Sequence, residues 1–417
     1  MISSDSEIGS LKKVIIHTPG REIEDMTPQS AAEVLYNDII PLTVVSKEHN
    51  ALKQVLSSVC EVFEVRSLLE RTLESPQARE ELIKSSAGVF EATERIEELS
   101  ELKPAELTDK LICGIHQKKN TLSTYLNKKV FDIPPSSNLY FMRDPGAIYR
   151  DSAIVSAMAN TVRNIEALFL RTIFRFHPLF SSTRIVFDGT EKIKEYSKTV
   201  KPTLEGGDVI LFRKNIILLG ISERTNPEAI DNFAHNIVET YNDKIDIIAV
   251  LLPKQRSTIH LDMIFTCIDY NTALVYEPYI IGYDSLPIIH MICEPGKEFN
   301  ITRKKSVQSA LSELGHEIDL IPCGGSNALH QQREQWLSGT NFLTLAPGKV
   351  LGYDCNAETL ASLERHGFEI YSSDSFLKNP DVFYEDKKLA IGVPGSELAR
   401  GGGGVRCMTM PIERESI

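Results

Sequence analysis

The sequence lacks a hydrophobic run long enough to span a bilayer. Its longest apolar stretches, such as IIAVLL at 247 to 252, fall far short of the roughly 20 residues that a transmembrane helix needs. The first residues, MISSDSEIGSLKK, also lack the basic-then-apolar pattern of a secretory signal. We therefore expect a cytoplasmic protein with no membrane partner.

Paired cysteines are missing as well. The seven cysteines, at 60, 113, 267, 293, 323, 355 and 407, are scattered, odd in number and never in a C-x-x-C pair. This pattern predicts neither a disulfide framework nor a zinc ribbon.

Positive charge is scarce, because the formal net charge of the 417 residues is −12. Nucleic acid binds to basic surfaces, so we expect no nucleic-acid partner, whereas a small cationic substrate is compatible with this charge. The hydrophobic share of 42% is enough to bury a substantial core.

The stretch from 67 to 126 is rich in charged residues and poor in glycine, unlike the rest of the chain. Apolar residues recur there at steps of three or four, the period of an amphipathic helix: Val89, Ala92, Ile96, Leu99 and Leu102. Pro104 is expected to open a further helix, because its missing N–H costs nothing there. We predict a helical bundle at 67–126 inserted into a body formed by 1–66 and 127–417.

The body contains short β-branched runs that pair across tight turns. Segments 141–157, 204–220 and 260–276 each carry an acidic residue near the start, then an apolar strand, a polar turn and a second strand, and segment 341–359 has a similar shape. Helical patterns follow some of these hairpins, for example at 226–241. Such repeats favour a pseudo-symmetric α/β assembly whose unit starts face a shared centre, and an open α/β sheet with coincidental hairpins is the alternative.

The run GGGGVRCMTMP at 401 to 411 is the most informative stretch. Its glycines permit close backbone approach just before Arg406 and Cys407. A phosphate loop is not expected, because no G-K-[ST] follows, and a plain flexible tail is the other alternative. A cysteine nucleophile needs a thiolate, which Arg406 or a cationic substrate could favour.

Among the histidines, His260 is the candidate proton partner. It lies two residues from Asp262, so on a strand both side chains would face the same side. If the unit starts converge, Glu205, Asp144 and Asp262 would surround His260 and Cys407. Several carboxylates suit a guanidinium, which offers five N–H donors. A metal site is the alternative, but paired ligand motifs such as H-E-x-x-H are absent.

Taken in order, these motifs resemble those of the arginine deiminases. They are E-I-G-x-L-K-K-V-I-I-H-x-P-G (7 to 20), N-L-Y-F-M-R-D-P (138 to 145), L-E-G-G-D (204 to 208), I-H-L-D (259 to 262), R-E-Q-W (333 to 336), G-x-N-x-L-x-L-x-P-G (339 to 348) and G-G-G-G-V-R-C-M (401 to 408). The resemblance covers nearly the whole chain. It implies an α/β fold, a five-bladed pseudo-symmetric α/β propeller with an inserted helical bundle.

The resemblance also implies roles for individual residues. The nucleophile would be Cys407, the general acid/base His260 and its orienting carboxylate Glu205, while Asp144 and Asp262 would bind the guanidinium. Asn138, Arg163 and Arg224 would bind the α-carboxylate and α-amino end of the substrate, and Phe141 would pack on its aliphatic stem. The loop at Gly401 and Arg406 would close around the substrate.

The implied activity is hydrolytic deimination of free L-arginine to L-citrulline and ammonia through a covalent thiouronium on Cys407. We expect no metal and no cofactor, and we expect the protein to form a homo-oligomer. The alternatives are an amidinotransferase of the same fold, or a deiminase of another guanidino compound such as agmatine or an N-substituted arginine. A binding protein without catalysis is disfavoured, because all five catalytic groups are present.

Overall fold

The computed structural model describes residues 2–26, 36, 38–191, 200–282 and 284–417. The described strands are β1 (Leu11–Ile16), β2 (Glu61–Glu64), β3 (Ile115–His116), β4 (Phe131–Ile133), β5 (Gly146–Tyr149), β6 (Ser152–Val155), β7 (Arg184–Asp188), β8 (Val209–Arg213), β9 (Ile216–Ile221), β10 (Ile245–Leu251), β11 (Phe265–Asp269), β12 (Thr272–Val275), β13 (Ile288–Cys293), β14 (Asn300–Lys304), β15 (Asp319–Pro322), β16 (Leu343–Ala346), β17 (Lys349–Tyr353), β18 (Phe368–Ser372), β19 (Lys388–Val393) and β20 (Met410–Arg414).

The described α-helices connect these strands. They are α1 (Leu42–Val59), α2 (Val65–Thr72), α3 (Pro76–Val89), α4 (Ile96–Ser100), α5 (Pro104–Cys113), α6 (Leu122–Leu126), α7 (Asn164–Phe176), α8 (Pro227–Tyr241), α9 (Glu277–Ile280), α10 (Val307–Glu313), α11 (Ala328–Trp336), α12 (Ala357–Arg365) and α13 (Ser373–Lys378). The fold is therefore mixed α/β, as expected. In the part of the chain described here, no helix is both long and apolar enough to cross a bilayer.

One strand pattern recurs in sheet after sheet. The predicted hairpins are confirmed as the antiparallel pairs β5–β6, β8–β9, β11–β12 and β16–β17. In each case a later strand, β7, β10, β15 or β19, joins the second hairpin strand in parallel. A parallel partner requires a crossover connection, which is commonly helical; α7 lies between β6 and β7, and α8 between β9 and β10.

The two ends of the chain share a sheet with the same pattern. Strand β1 pairs antiparallel with β20 and parallel with β2. Cys407 lies just before β20, so this pairing places the carboxy-terminal motif beside the start of the chain.

The stretch from 65 to 126 is mostly helical, and Pro104 opens α5 as predicted. The expectation of one helical period across 89–102 is wrong in detail, because α3 ends at Val89 and Glu91 has a φ of 54°. Its apolar positions nevertheless pack into the same cluster as residues of α7. The division into an inserted bundle and a body remains a prediction.

Candidate active site

A cavity of about 260 Å³ gathers most of the residues that the sequence singled out. Its wall consists of Asn138, Phe141, Asp144, Arg163, Glu223, Arg224, Arg256, Ile259, His260, Gly401, Gly402, Gly403 and Cys407. Three predicted residues do not line the cavity but contact other residues of the site. Glu205 contacts His260, Asp262 contacts Cys407, and Arg406 contacts Asp262.

Backbone hydrogen bonds join the starts of the repeated units around this cavity. The Arg143 N–H donates to the Cys407 carbonyl over 2.9 Å, and the Gly206 N–H donates to the Asp144 carbonyl over 2.9 Å. Because these bonds join segments distant in sequence, they hold the polar residues that precede β5, β8 and β20 together.

His260 lies between two carboxylates. Its Nε2 is 2.9 Å from Oε2 of Glu205, and its Nδ1 is 3.6 Å from Oδ1 of Asp144. Burial alone would lower the pKa of His260, but the charge of Asp144 and the hydrogen bond to Glu205 outweigh it and raise the pKa to about 9. The imidazole is therefore protonated at neutral pH and can act as a general acid.

Gly207 of the E-G-G-D motif is required by the position of this imidazole. A Cβ atom at Gly207 would lie 2.6 Å from both Cγ and Nδ1 of His260. Any side chain at this position would therefore displace the ring, which explains one glycine of the motif.

The Cys407 thiol is buried, with 3% of the residue exposed. Its Sγ is 3.6 Å from Oδ2 of Asp262. Burial, followed by the charges of Asp262 and Asp144, raises the pKa of Cys407 well above its usual range. The raised pKa favours the protonated thiol, and a positive charge placed close to Asp144 and Asp262 would oppose this shift.

Arg406 is paired with two carboxylates behind the cavity wall. It was expected to favour the thiolate and to close around the substrate, but it is 1% exposed and does not line the cavity. Its guanidinium donates to Asp262 over 2.7 Å, to Glu7 over 2.9 Å and to the Val209 carbonyl over 2.9 Å. Its charge lowers the pKa of Cys407, as expected, but burial and the charges of Asp262 and Asp144 outweigh this effect.

Arg163 lines the cavity but is already paired. Its Nη1 donates to Oδ2 of Asp144 over 2.7 Å, and its Nη2 donates to Glu166 over 2.7 Å. The sequence predicted Arg163 at the carboxylate end of the substrate. In this structure its guanidinium instead contacts a carboxylate that the sequence placed at the guanidinium end.

In both Asp144 and Asp262, one carboxylate oxygen accepts a hydrogen bond from an arginine and the other accepts none from any residue that the structure describes. Oδ2 of Asp144 accepts from Arg163, and Oδ2 of Asp262 accepts from Arg406. Among the described residues, Oδ1 of Asp144 and Oδ1 of Asp262 are buried without a hydrogen-bond partner. Buried polar atoms are nearly always paired. Asp144 lines the cavity and Asp262 contacts Cys407, so their free oxygens indicate a place for a ligand with several N–H donors.

A metal ion is the other ligand to consider. Within the described ranges, Asp144, Glu205 and His260 place their ligand atoms within 4.8 Å of one another. However, Nε2 of His260 is already 2.9 Å from Oε2 of Glu205, and the raised pKa of the imidazole favours its protonated form. A metal bound to this ring would have to displace a proton that the neighbouring carboxylates favour, so the arrangement suits an organic cation better.

Sequence reasoning missed several residues of the site. Glu223 and Arg256 line the cavity without a motif that marks them, and Ile259 lies in the quoted I-H-L-D motif but was given no role. Asn341 was within reach, because it lies in the quoted G-x-N-x-L motif. Its Oδ1 accepts from the Cys407 N–H over 3.0 Å, and its Nδ2 donates to the Asp262 carbonyl over 3.2 Å.

Comparison with known proteins agrees with the motifs. The family described as "Arginine deiminase" matches residues 32–414. The chain is 32% identical over 432 residues to the arginine deiminase of Bacillus cereus strain B4264, with 99% of this chain and 98% of that protein covered. It is 31% identical over 436 residues to the arginine deiminase of Borrelia garinii subsp. bavariensis, with 99% and 97% covered.

Two solved structures share the fold at low identity. SxtG, an amidinotransferase from Microseira wollei, has a TM-score of 0.54 at 14% identity, with 100% of this chain and 98% of that chain covered. The N-terminal domain of ArgZ, an arginine dihydrolase from cyanobacteria bound to its product, has a TM-score of 0.52 at 11% identity, with 96% and 97% covered.

Proposed function

We propose, from the premise that this chain belongs to the arginine deiminase family, that it hydrolyses free L-arginine to L-citrulline and ammonia with Cys407 as nucleophile. The observation that carries the proposal is the pair of carboxylates beside the Cys407 thiol. Asp144 lines the cavity together with Cys407, Oδ2 of Asp262 is 3.6 Å from Sγ, and, in the described part of the chain, Oδ1 of each aspartate is buried without a hydrogen-bond partner. A guanidinium supplies N–H donors to both oxygens and a positive charge at the same time.

The charge of the substrate supports the activation of the thiol. The pKa of Cys407 is raised by burial and by the charges of Asp262 and Asp144. A guanidinium bound to both aspartates offsets these charges, so the pKa of the thiol falls when the substrate arrives. The nucleophile is therefore formed only in the complex, where the thiol loses its proton to solvent.

The first half-reaction forms a bond between sulfur and the guanidinium carbon. The Cys407 thiolate attacks, a C–N bond breaks, and protonated His260 gives its proton to the departing ammonia. A covalent thiouronium remains on Cys407. The raised pKa of His260, about 9, is consistent with this acid role at neutral pH.

Water resolves the intermediate in the second half-reaction. Neutral His260 accepts one proton as water attacks the same carbon, the C–S bond breaks, and a second proton returns to the thiolate. Citrulline leaves, and both groups regain their starting protonation. Glu205, with its pKa lowered to about 2, remains ionised and orients the imidazole throughout.

The amino-acid end of the substrate is assigned to Asn138, Phe141, Arg224 and Gly401, all of which line the cavity. Arg163 is paired with Asp144 and Glu166, so Arg224 is the principal carboxylate anchor in this proposal. Deimination of another guanidino compound is the second candidate, because the pairing of Arg163 removes one of the two expected carboxylate anchors.

Cys407→Ser tests the proposal directly. The variant should release no ammonia from arginine, because a serine hydroxyl is not ionised by nearby charge as a thiol is. Rapid acid quench of the wild type followed by mass spectrometry should show an adduct on Cys407. Cys293→Ser, at a buried cysteine that does not line the cavity, is the control and should retain the rate. An adduct on another cysteine, or full activity of Cys407→Ser, contradicts the assignment.

The finer architecture is also a proposal. We infer that the repeated sheets form the blades of a five-bladed α/β propeller with the cavity at its centre. The shared pattern of an antiparallel pair with a parallel third strand supports this inference. A homo-oligomer and a cytoplasmic location remain predictions from the sequence.

A further inference from the structure

Asp208 closes the E-G-G-D motif but has no role in the chemistry above. It is fully buried, with 0% of the residue exposed, and it does not line the cavity. Since a buried carboxylate is costly unless it is hydrogen-bonded, its partners indicate what it does.

The carboxylate of Asp208 joins two segments of the site. Its Oδ1 accepts from the Leu261 N–H over 2.9 Å, and Leu261 lies between His260 and Asp262. Its Oδ2 accepts from the Ser222 hydroxyl over 2.7 Å. One side chain therefore contacts both the His260–Asp262 segment and the turn at 222–225, which follows β9 and contains Arg224.

The Ser222 hydroxyl connects Asp208 to the backbone of Arg224, the proposed anchor of the substrate carboxylate. Its Oγ accepts from the Arg224 N–H over 2.9 Å and from the Thr225 N–H over 3.1 Å. The Thr225 hydroxyl in turn accepts from the Glu205 N–H over 3.1 Å. The network thus reaches His260, Glu205 and Arg224 from a single carboxylate.

Gly220 leaves the space that this arrangement needs. A Cβ atom at Gly220 would lie 2.0 Å from Oδ1 of Asp208. The close approach of strand β9 to the carboxylate is therefore built into the sequence at this glycine.

We propose that Asp208 is a positioning residue that fixes the His260–Asp262 segment and the Arg224 turn relative to each other, an inference that rests on the proposed function. Without this link, the acid/base and the carboxylate anchor move independently, and the guanidinium carbon is no longer held at the thiol. Small displacements of this kind lower the reaction rate strongly, because catalysis depends on reacting atoms held in near-attack geometry.

Charge adds a second consequence. Burial raises the pKa of Asp208 to about 7, opposed by the neighbouring charge of His260 and by the hydrogen bonds to Ser222 and Thr225. The carboxylates that raise the pKa of His260 are Asp144, Glu205 and Asp208. When ionised, Asp208 therefore helps to keep the imidazole protonated.

Asp208→Asn is the main test, with ammonia release from arginine and the NMR titration of the His260 ring as readouts. We expect kcat/KM to fall roughly ten- to a hundredfold, as for a lost hydrogen bond to a charged group. The pKa of His260 should fall by about one pH unit, because one neighbouring negative charge is removed. Unchanged kcat/KM or an unchanged His260 titration overturns the proposal.

Glu334→Gln is the matched control. Glu334 is also a buried carboxylate that accepts from two backbone N–H groups and a hydroxyl, over 2.8, 2.7 and 2.6 Å, but it does not line the cavity. This variant should lose stability and retain the His260 titration. An equal shift in both variants would show a general effect of weakened packing and overturn the proposal.

Ser222→Ala keeps the test decisive if Asp208→Asn does not fold. This change interrupts the branch to Arg224 and leaves the Leu261 bond in place, so KM for arginine should rise while the His260 titration shifts less than the one unit expected for Asp208→Asn. An unchanged KM contradicts the proposed link. If the wild type releases no ammonia from arginine, the proposed function fails instead, and the NMR titrations still test Asp208.

Discussion

Glu205→Gln is the sharpest test of how the site controls its acid. The change keeps the size of the side chain but replaces a carboxylate 2.9 Å from Nε2 of His260 by a neutral amide. Because both residues are fully buried, water cannot substitute for the lost charge. The variant should therefore lower the pKa of His260 rather than simply weaken binding.

The structure sets the size of the effect. A hydrogen bond to a charged group contributes about 1.5 to 3 kcal/mol, and one pKa unit corresponds to about 1.36 kcal/mol. The pKa of His260, about 9 in the wild type, should fall by roughly one to two units. Asp144 remains 3.6 Å from Nδ1, so it still favours the protonated ring.

The sign of the linked change in stability follows from the direction of the shift. A histidine whose pKa is raised by folding contributes stability below its unfolded pKa of about 6.5, and this contribution is lost as the pH rises through the folded value. In the wild type, this loss should extend up to about pH 9. In Glu205→Gln it should be complete about one to two pH units lower.

The assay is the pH profile of kcat/KM for arginine, which reports groups of the free enzyme. Its alkaline limb should move to lower pH in Glu205→Gln relative to the wild type. Asp246→Asn is the control, because Oδ1 of Asp246 is 2.8 Å from Nε2 of buried His290 and neither residue lines the cavity. It should lose stability without a shift of the limb. An alkaline limb at the wild-type position in Glu205→Gln would refute the reasoning.

Further predictions concern selectivity, metal dependence and glycine. Arg224→Ala should lower kcat/KM for arginine roughly ten- to a hundredfold and leave agmatine, which has no carboxylate, nearly unchanged. Arg163→Ala should lower turnover of both substrates, because Arg163 holds Asp144. A loss of turnover confined to arginine would instead show that Arg163 binds the carboxylate of the substrate. Dialysis against a chelator should leave the rate unchanged, and activity that is lost and then restored by a metal would revive the metal interpretation. Gly207→Ala should abolish ammonia release from arginine, because its Cβ would lie 2.6 Å from the His260 ring. Gly88→Ala lies in open space in α3 and should stabilise the helix by about 1 kcal/mol. Thermal unfolding and ammonia release together distinguish these two outcomes.

Much of the architecture could be predicted from local patterns. The hairpins at 141–157, 204–220, 260–276 and 341–359 were predictable because alternation of apolar and polar residues is a direct consequence of strand geometry. The helical period across 89–102 was less informative. A three- or four-residue step also fits a helix that ends and a new one that begins, and the backbone at Glu91 separates them.

The identities of the candidate catalytic groups were also determined by the sequence. Glycine next to an essential side chain, as at Gly207, leaves a local signature, and so does the cysteine after the glycine run. The resemblance of these motifs to those of the arginine deiminases assigns roles to Cys407, His260 and Glu205 without any knowledge of distance, because each motif is short and can be matched along the chain.

The state of these groups was decided only by the tertiary structure. Arg406 is bound to Glu7 and Asp262, and Arg163 to Asp144 and Glu166. Whether a buried arginine serves the substrate or another carboxylate depends on distances of a few ångströms between segments far apart in sequence. Electrostatic energies in a low-dielectric interior change steeply over such distances, so the protonation of Cys407 and the pairing of its neighbours follow from the folded arrangement and not from the motifs.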